Sequence, residues 1–158
     1  MYAATATDRT AAEPASYATP GVLPATCTGE VACAWNLPHH PESAGTARRI
    51  ARTVLDALGA DIDTADVVLI VVSELVTNAV EHALPPVTLH LEQRTESGAL
   101  HVEVDDGGPA PEDRARAAGR DPEEHGRGAP IIALLAIAHG ERALPRGAAH
   151  WADLPIAA

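Results

Sequence analysis

The sequence predicts an α/β (α+β) two-layer sandwich, a sheet with helices packed on one face. Three observations carry that prediction. Apolar residues alternate with period two at 31–37, 87–91 and 100–104, two longer segments between the first two of these keep helical spacing, and no internal repeat or heptad breaks the order.

Residues 1–30 contain 17 Ala, Thr or Pro and hold no sustained period, so they read as a flexible tail before a single domain at 31–158. In VACAWNL, Val31, Cys33, Trp35 and Leu37 share one face of a half-buried strand that Pro38 and Pro41 end. From Glu42 to Leu58, Ala47, Ile50, Ala51, Val54 and Leu58 form an apolar stripe opposite Arg48, Arg49 and Arg52, with Gly59 as the stop. The next helix takes Asp63 or Thr64 as its N-cap and runs to the break at Pro85-Pro86. Its spacing through Val68, Val72, Leu75, Val76, Ala79, Val80 and Ala83 predicts a mostly buried helix rather than a strand. Val87, Leu89 and Leu91, a Ser97-Gly98 turn, and Leu100, Val102 and Val104 make a hairpin. Residues 107–128 lack an apolar face and read as a long loop, PIIALLAIA after Gly128 as a short apolar helix, and the chain closes with a hairpin turning at Pro145-Arg146-Gly147. Trp35 and Trp151 are expected in the core, and His39, His40, Glu123 and Glu124 as solvated loop residues.

Composition removes whole classes of chemistry. All 11 basic residues of the 158-residue chain are Arg, so there is no Schiff-base lysine and no P-loop GK[ST]. Phe is absent, and Trp35, Trp151, Tyr2 and Tyr17 are the only aromatics, too few for a base-stacking platform. A formal charge of −11 opposes nucleic acid and anionic lipid as partners. The apolar run Val67 to Val72 is far below the ~20 residues that span a bilayer. The N-terminus lacks a basic start followed by an apolar stretch, which places the protein in the cytoplasm, where Cys27 and Cys33 are expected as free thiols. Eight His and two Cys show no CxxC, HxxxH or HExxH spacing, so no structural metal site is expected.

Three constellations carry chemistry. Glu74, Asn78 and His82 are spaced i, i+4, i+8 and form one polar stripe on an otherwise apolar helix. Either the stripe faces solvent or something polar must meet it, because unpaired burial costs several kcal/mol, on the order of a lost hydrogen bond per group. On the strand at 100–106, Leu100, Val102, Val104 and Asp106 share parity, so the pleat sends Asp106, and not Asp105, to the apolar side. There Asp106 either reads a donor such as a ligand's exocyclic amine or caps its own turn, and Gly107-Gly108 allows close backbone approach. HGRG at 125–128 stands at a helix start, an arrangement suited to phosphate, although Ile131 replaces the third glycine of a Rossmann fingerprint.

ELVTNAVEHA at 74–83, VEVDDGGP at 102–109 and HGRGAPII at 125–132 resemble the N-box and the two glycine boxes of the GHKL ATPase superfamily. Within it the chain resembles anti-sigma-factor serine/threonine kinases and related small actinobacterial ATP-binding proteins, with further similarity at 35–49 and 151–156. The resemblance implies a Bergerat fold with a mixed, mostly antiparallel sheet, and ATP and Mg2+ as cofactors. It makes Glu74 the general base, Asn78 the magnesium ligand and Asp106 the carboxylate that reads the adenine amine. Gly108, Gly126 and Gly128 become the glycines that pass close to the nucleotide, with Arg127 a substitute phosphate-binding cation, His82 a further cofactor-binding residue and 109–125 a mobile lid. Two departures stand out: Ala129-Pro130 where relatives continue with Leu, and Ala148-Ala149 where they often carry Lys and Thr or Thr alone.

Two functions follow. One is a serine/threonine protein kinase in which Glu74 accepts the proton of a partner's hydroxyl as the γ-phosphate transfers. The other is a nucleotide-binding module that sequesters a partner without phosphotransfer. The resemblance implies a sigma factor or an anti-anti-sigma protein as partner, and a homodimer. A histidine kinase is disfavoured for want of a helical phosphoacceptor domain, and a DNA-handling ATPase by size and charge.

Overall fold

The computed structural model describes residues 26–27, 32–117 and 128–157. Its strands are β1 (Thr26–Cys27), β2 (Ala32–Leu37), β3 (Val87–Arg94), β4 (Ala99–Asp106), β5 (Ala138–Leu144) and β6 (Gly147–Pro155). The helices are α1 (Ser43–Ala57), α2 (Ile62–His82), α3 (Pro111–Ala117) and α4 (Gly128–Leu135). The strands form one sheet in the order β1-β2-β3-β4-β6-β5, and each of these pairings is antiparallel. The two-layer α/β architecture is therefore as predicted, while the sheet is antiparallel throughout the described strands rather than mixed.

Alternation builds the inner layer. Cys33, Trp35 and Leu37 of β2, Val87, Leu89 and Leu91 of β3, Leu100, Val102 and Val104 of β4, and Ala152 and Leu154 of β6 all face the core. Against them lie Ala47, Ile50, Ala51 and Val54 of α1 and Val68, Val72, Leu75, Val76 and Ala79 of α2. Buried aliphatic side chains each contribute about 1.5–3 kcal/mol, so this layer is the main source of stability. Trp35 sits at its centre as expected, with Nε1 buried and without a hydrogen-bond partner among the described residues.

Several expectations are corrected. The N-cap of α2 is Asp61, whose side chain accepts from the Thr64 N–H at 2.7 Å, rather than Asp63 or Thr64; the apolar stripe starts only at Ala65, but the cap that closes the first turn lies upstream of it. Part of the expected loop is α3, which begins with Pro111 and has Glu112 and Asp113 in its first turn, a favourable helix start even without an apolar face. The apolar helix after Gly128 ends at Leu135, and Ala138 already belongs to β5. Thr26–Cys27, within the expected tail, pairs with β2 and sets Cys27 opposite Cys33. Cys33 is disulfide-bonded rather than a free thiol, since directly opposed positions on antiparallel strands lie within bridging reach. Val31 lies outside the described residues. Trp151 is half-buried on the outer face, its indole lying over Gly140, where a Cβ would come within 2.9 Å of it. His39 is not merely solvated: its Nε2–H donates to the Ala83 carbonyl at 2.8 Å, tying the β2–α1 loop to the end of α2.

No helix among the described residues is long and apolar enough to cross a membrane.

Candidate functional site

The site is built where the end of α2 meets the end of β4. The Gly107 N–H donates to the Leu84 carbonyl at 2.6 Å, the Leu84 N–H to Gly108 at 2.8 Å, and the Ala110 N–H to His82 at 2.9 Å. The bond from Ala110 satisfies the His82 carbonyl that the helix end leaves open, and the other two engage Leu84 just beyond it. They also lock the Asp106-Gly107-Gly108 turn against α2. Only glycine fits at 107, because a Cβ there would stand 2.2 Å from the Pro85 carbonyl oxygen. Gly108 holds φ at 88°, a conformation that other residues rarely adopt.

Parity places the two aspartates as expected. Asp106 is 5% exposed on the helix side, paired in register with Ala148 of β6. Its Oδ1 accepts the Gly108 N–H at 2.8 Å, so the turn-capping reading and the burial reading both hold. Its Oδ2 lies 3.4 Å from His150 Nε2. His150 is the site residue that sequence reasoning missed. The signal was present, since Ala148, His150, Ala152 and Leu154 share parity on β6 just as Val104 and Asp106 do on β4. The hydrogen bond to Asp106 pushes the His150 pKa above its ordinary value; burial opposes this and nearby Glu141 assists.

Along α2, Glu74 and Asn78 are half-buried, and neither side chain has a hydrogen-bond or ion-pair partner among the described residues. A carboxylate and an amide left open on an otherwise apolar helix are suitable oxygen ligands for a hard cation such as magnesium, so the donor set fits the cofactor. His82, the third member of the stripe, is instead exposed and pairs through Nδ1 with Asp113 on α3 at 3.1 Å. Gly128 is the first residue of α4. Gly126 and Arg127, like Glu123 and Glu124, lie outside the described residues.

The sheet, the helices on one side of it and the glycine turn pinned to the long helix together define a Bergerat-type α/β domain of the ATPase class. A family model described as the histidine kinase-like ATPase domain matches residues 37–145, and the chain belongs to that family. Among solved structures, the chain is similar in fold to the crystal structure of the RsbU and RsbW domains of Rv1364c from Mycobacterium tuberculosis. The TM-score is 0.62 at 18% identity, over 79% of this chain and 32% of that one, so the chain spans about a third of that protein's length. No curated protein matches the chain.

Proposed function

We propose that the protein is an ATP-binding regulator of the anti-sigma-factor type, a serine/threonine kinase that binds MgATP and phosphorylates a partner protein. The observation that carries this reading is the pair Glu74 and Asn78, open and half-buried on α2, the helix whose C-terminal end pins the Asp106 turn. In this reading Asp106 accepts the adenine amine, Asn78 holds magnesium, and Glu74 takes the proton from the attacking hydroxyl. Magnesium, when bound, supplies charge neutralisation for the phosphates, which this lysine-free chain otherwise meets only with backbone amides and Arg. Gly108, Gly126 and Gly128 approach the nucleotide, Arg127 supplies a cation, and His82 anchors α3 through Asp113. The partner is a sigma factor or an anti-anti-sigma protein, and the protein acts as a homodimer in the cytoplasm. The RsbW domain in the structural neighbour supports this direction.

A second reading is favoured by one observation. Ala148, the register partner of Asp106, and Ala149 offer neither the hydroxyl nor the cation that relatives often place there. The protein is then a nucleotide-binding module that sequesters its partner without phosphotransfer. Labelled ATP with candidate partners separates the two. The kinase reading expects label transfer that falls about 10²- to 10⁴-fold in Glu74→Gln, the range for loss of a general base. No transfer to any partner, with partner affinity unchanged in Glu74→Gln, overturns it in favour of the module.

A further inference from the structure

The outer face of the sheet, away from the helices, holds a polar cluster that the nucleotide reading does not use. His90 on β3 stands directly opposite Glu103 on β4, and Asp105 lies two residues further along β4 on the same face. The geometry points to a binding site for a divalent transition-metal ion of the zinc type, formed by His90, Glu103 and Asp105. This inference goes beyond the nucleotide site and does not rest on it.

One ligand atom from each residue lies within 4.8 Å of the other two. Metal–ligand bonds of about 2.0–2.2 Å place adjacent ligands roughly 3.0–3.5 Å apart and opposed ones up to about 4.4 Å, so only small side-chain adjustments close the site. His90 Nε2 and Asp105 Oδ2 are already 2.9 Å apart, bridged by a single proton that a cation would replace. A second, independent observation is the other oxygen of that carboxylate: Asp105 Oδ1 is buried and has no hydrogen-bond partner among the described residues. A buried carboxylate oxygen without a donor is costly, and a bound cation satisfies it.

Surrounding groups hold the ligands in place. Arg142 Nη2 donates to Glu103 Oε1 at 2.7 Å, fixing that side chain, while Oε2 lies 3.6 Å from His101 Nε2. His101 bonds Asp153 at 2.6 Å and packs against Trp151 at a centroid distance of 5.7 Å, walling the cluster on one side. Such supporting contacts orient metal ligands in known sites. A cavity of about 510 Å³ lined by His90, His101, Glu103, Arg142 and Trp151 opens onto the cluster, giving an ion access and room for a water ligand. An imidazole nitrogen with two carboxylates selects zinc, cobalt or nickel over magnesium and calcium.

The test is cobalt titration of the full chain after chelator treatment, followed by visible absorption and then by zinc competition. One equivalent of Co2+ is expected to give a saturating visible spectrum that Zn2+ abolishes and millimolar Mg2+ leaves intact. His90→Gln and the isosteric Asp105→Asn should each weaken Co2+ binding at least about tenfold. His40→Ala, a change at a surface histidine, should retain it. The proposal is overturned if no one-equivalent spectrum forms, or if affinity is unchanged in both His90→Gln and Asp105→Asn while circular dichroism reports them folded.

Discussion

Asp105 and Asp106 are neighbours in sequence, yet they stand in opposite chemical settings on the two faces of β4. The inner face is aliphatic: Leu100, Val102 and Val104 lead to a single carboxylate, Asp106, met by one backbone N–H and by His150. The outer face is a mesh in which His90 pairs with Asp105, Arg142 with Glu103, and His101 with Asp153. It is nonetheless well covered, with His101 8% and Glu103 9% exposed, although pleat parity alone predicts solvent there. Burial pushes the Asp105 carboxyl above its ordinary pKa, with His90 opposing. The difference teaches where specificity can reside. On the outer face most polar groups pair with one another and Asp105 Oδ1 is left over, whereas on the helix side Glu74 and Asn78 both stand without a partner among the described residues.

The largest expected effect tests the energetic side of this contrast. Leu89 is fully buried on the inner face, and Leu89→Ala should cost about 2–5 kcal/mol. Its neighbour Thr88 points outward and bonds Asn36 at 3.2 Å, so Thr88→Ala should cost no more than about 0.5 kcal/mol. Urea unfolding of both variants measures the gap, and equal losses would break the distinction between the faces.

A smaller effect probes the ion pair between His150 and Asp106. His150 has a folded pKa raised above the unfolded value of 6.5 by its bond to Asp106. The raised value means that the pair's stabilisation is fully present below about pH 6.5 and is lost as pH rises through the folded His150 pKa. With the His150 side chain 39% exposed, solvent screening holds this to less than about 1 kcal/mol. The thermal midpoint of His150→Gln should therefore trail the wild type at pH 6 and converge with it by pH 9. A gap that widens with pH would contradict the pairing.

Much of this was legible from local pattern. Period two in VACAWNL, TLHL and LHVEVDD set the strands and sent Asp106 inward, and i, i+4 spacing put Glu74 and Asn78 on one face of α2. What escaped depends on partners far along the chain. The burial of Glu103 comes from Arg142, 39 residues later, and that of His101 from contacts with Trp151 and Asp153. His150 escaped for another reason: its neighbours Ala148 and Ala149 carry no polar signal, and parity on β6 acquires meaning only once Val104 is known to stand opposite His150. The cysteines required the register of β1 on β2, which no composition argument supplies. α3 had its Pro and acidic first turn in plain view, but without an apolar face nothing in the hydrophobic period marked it.

In the proposed function the inner face reads a nucleotide through Asp106. Calorimetric titration of MgATP into the wild type, Asp106→Asn and Asp105→Asn tests it directly. The expected result is saturable binding at one nucleotide per chain, weakened about 10- to 100-fold in Asp106→Asn, as about 1–3 kcal/mol is lost when a buried acceptor is mispaired. Absence of binding to the wild type, or a greater loss in Asp105→Asn than in Asp106→Asn, would contradict it.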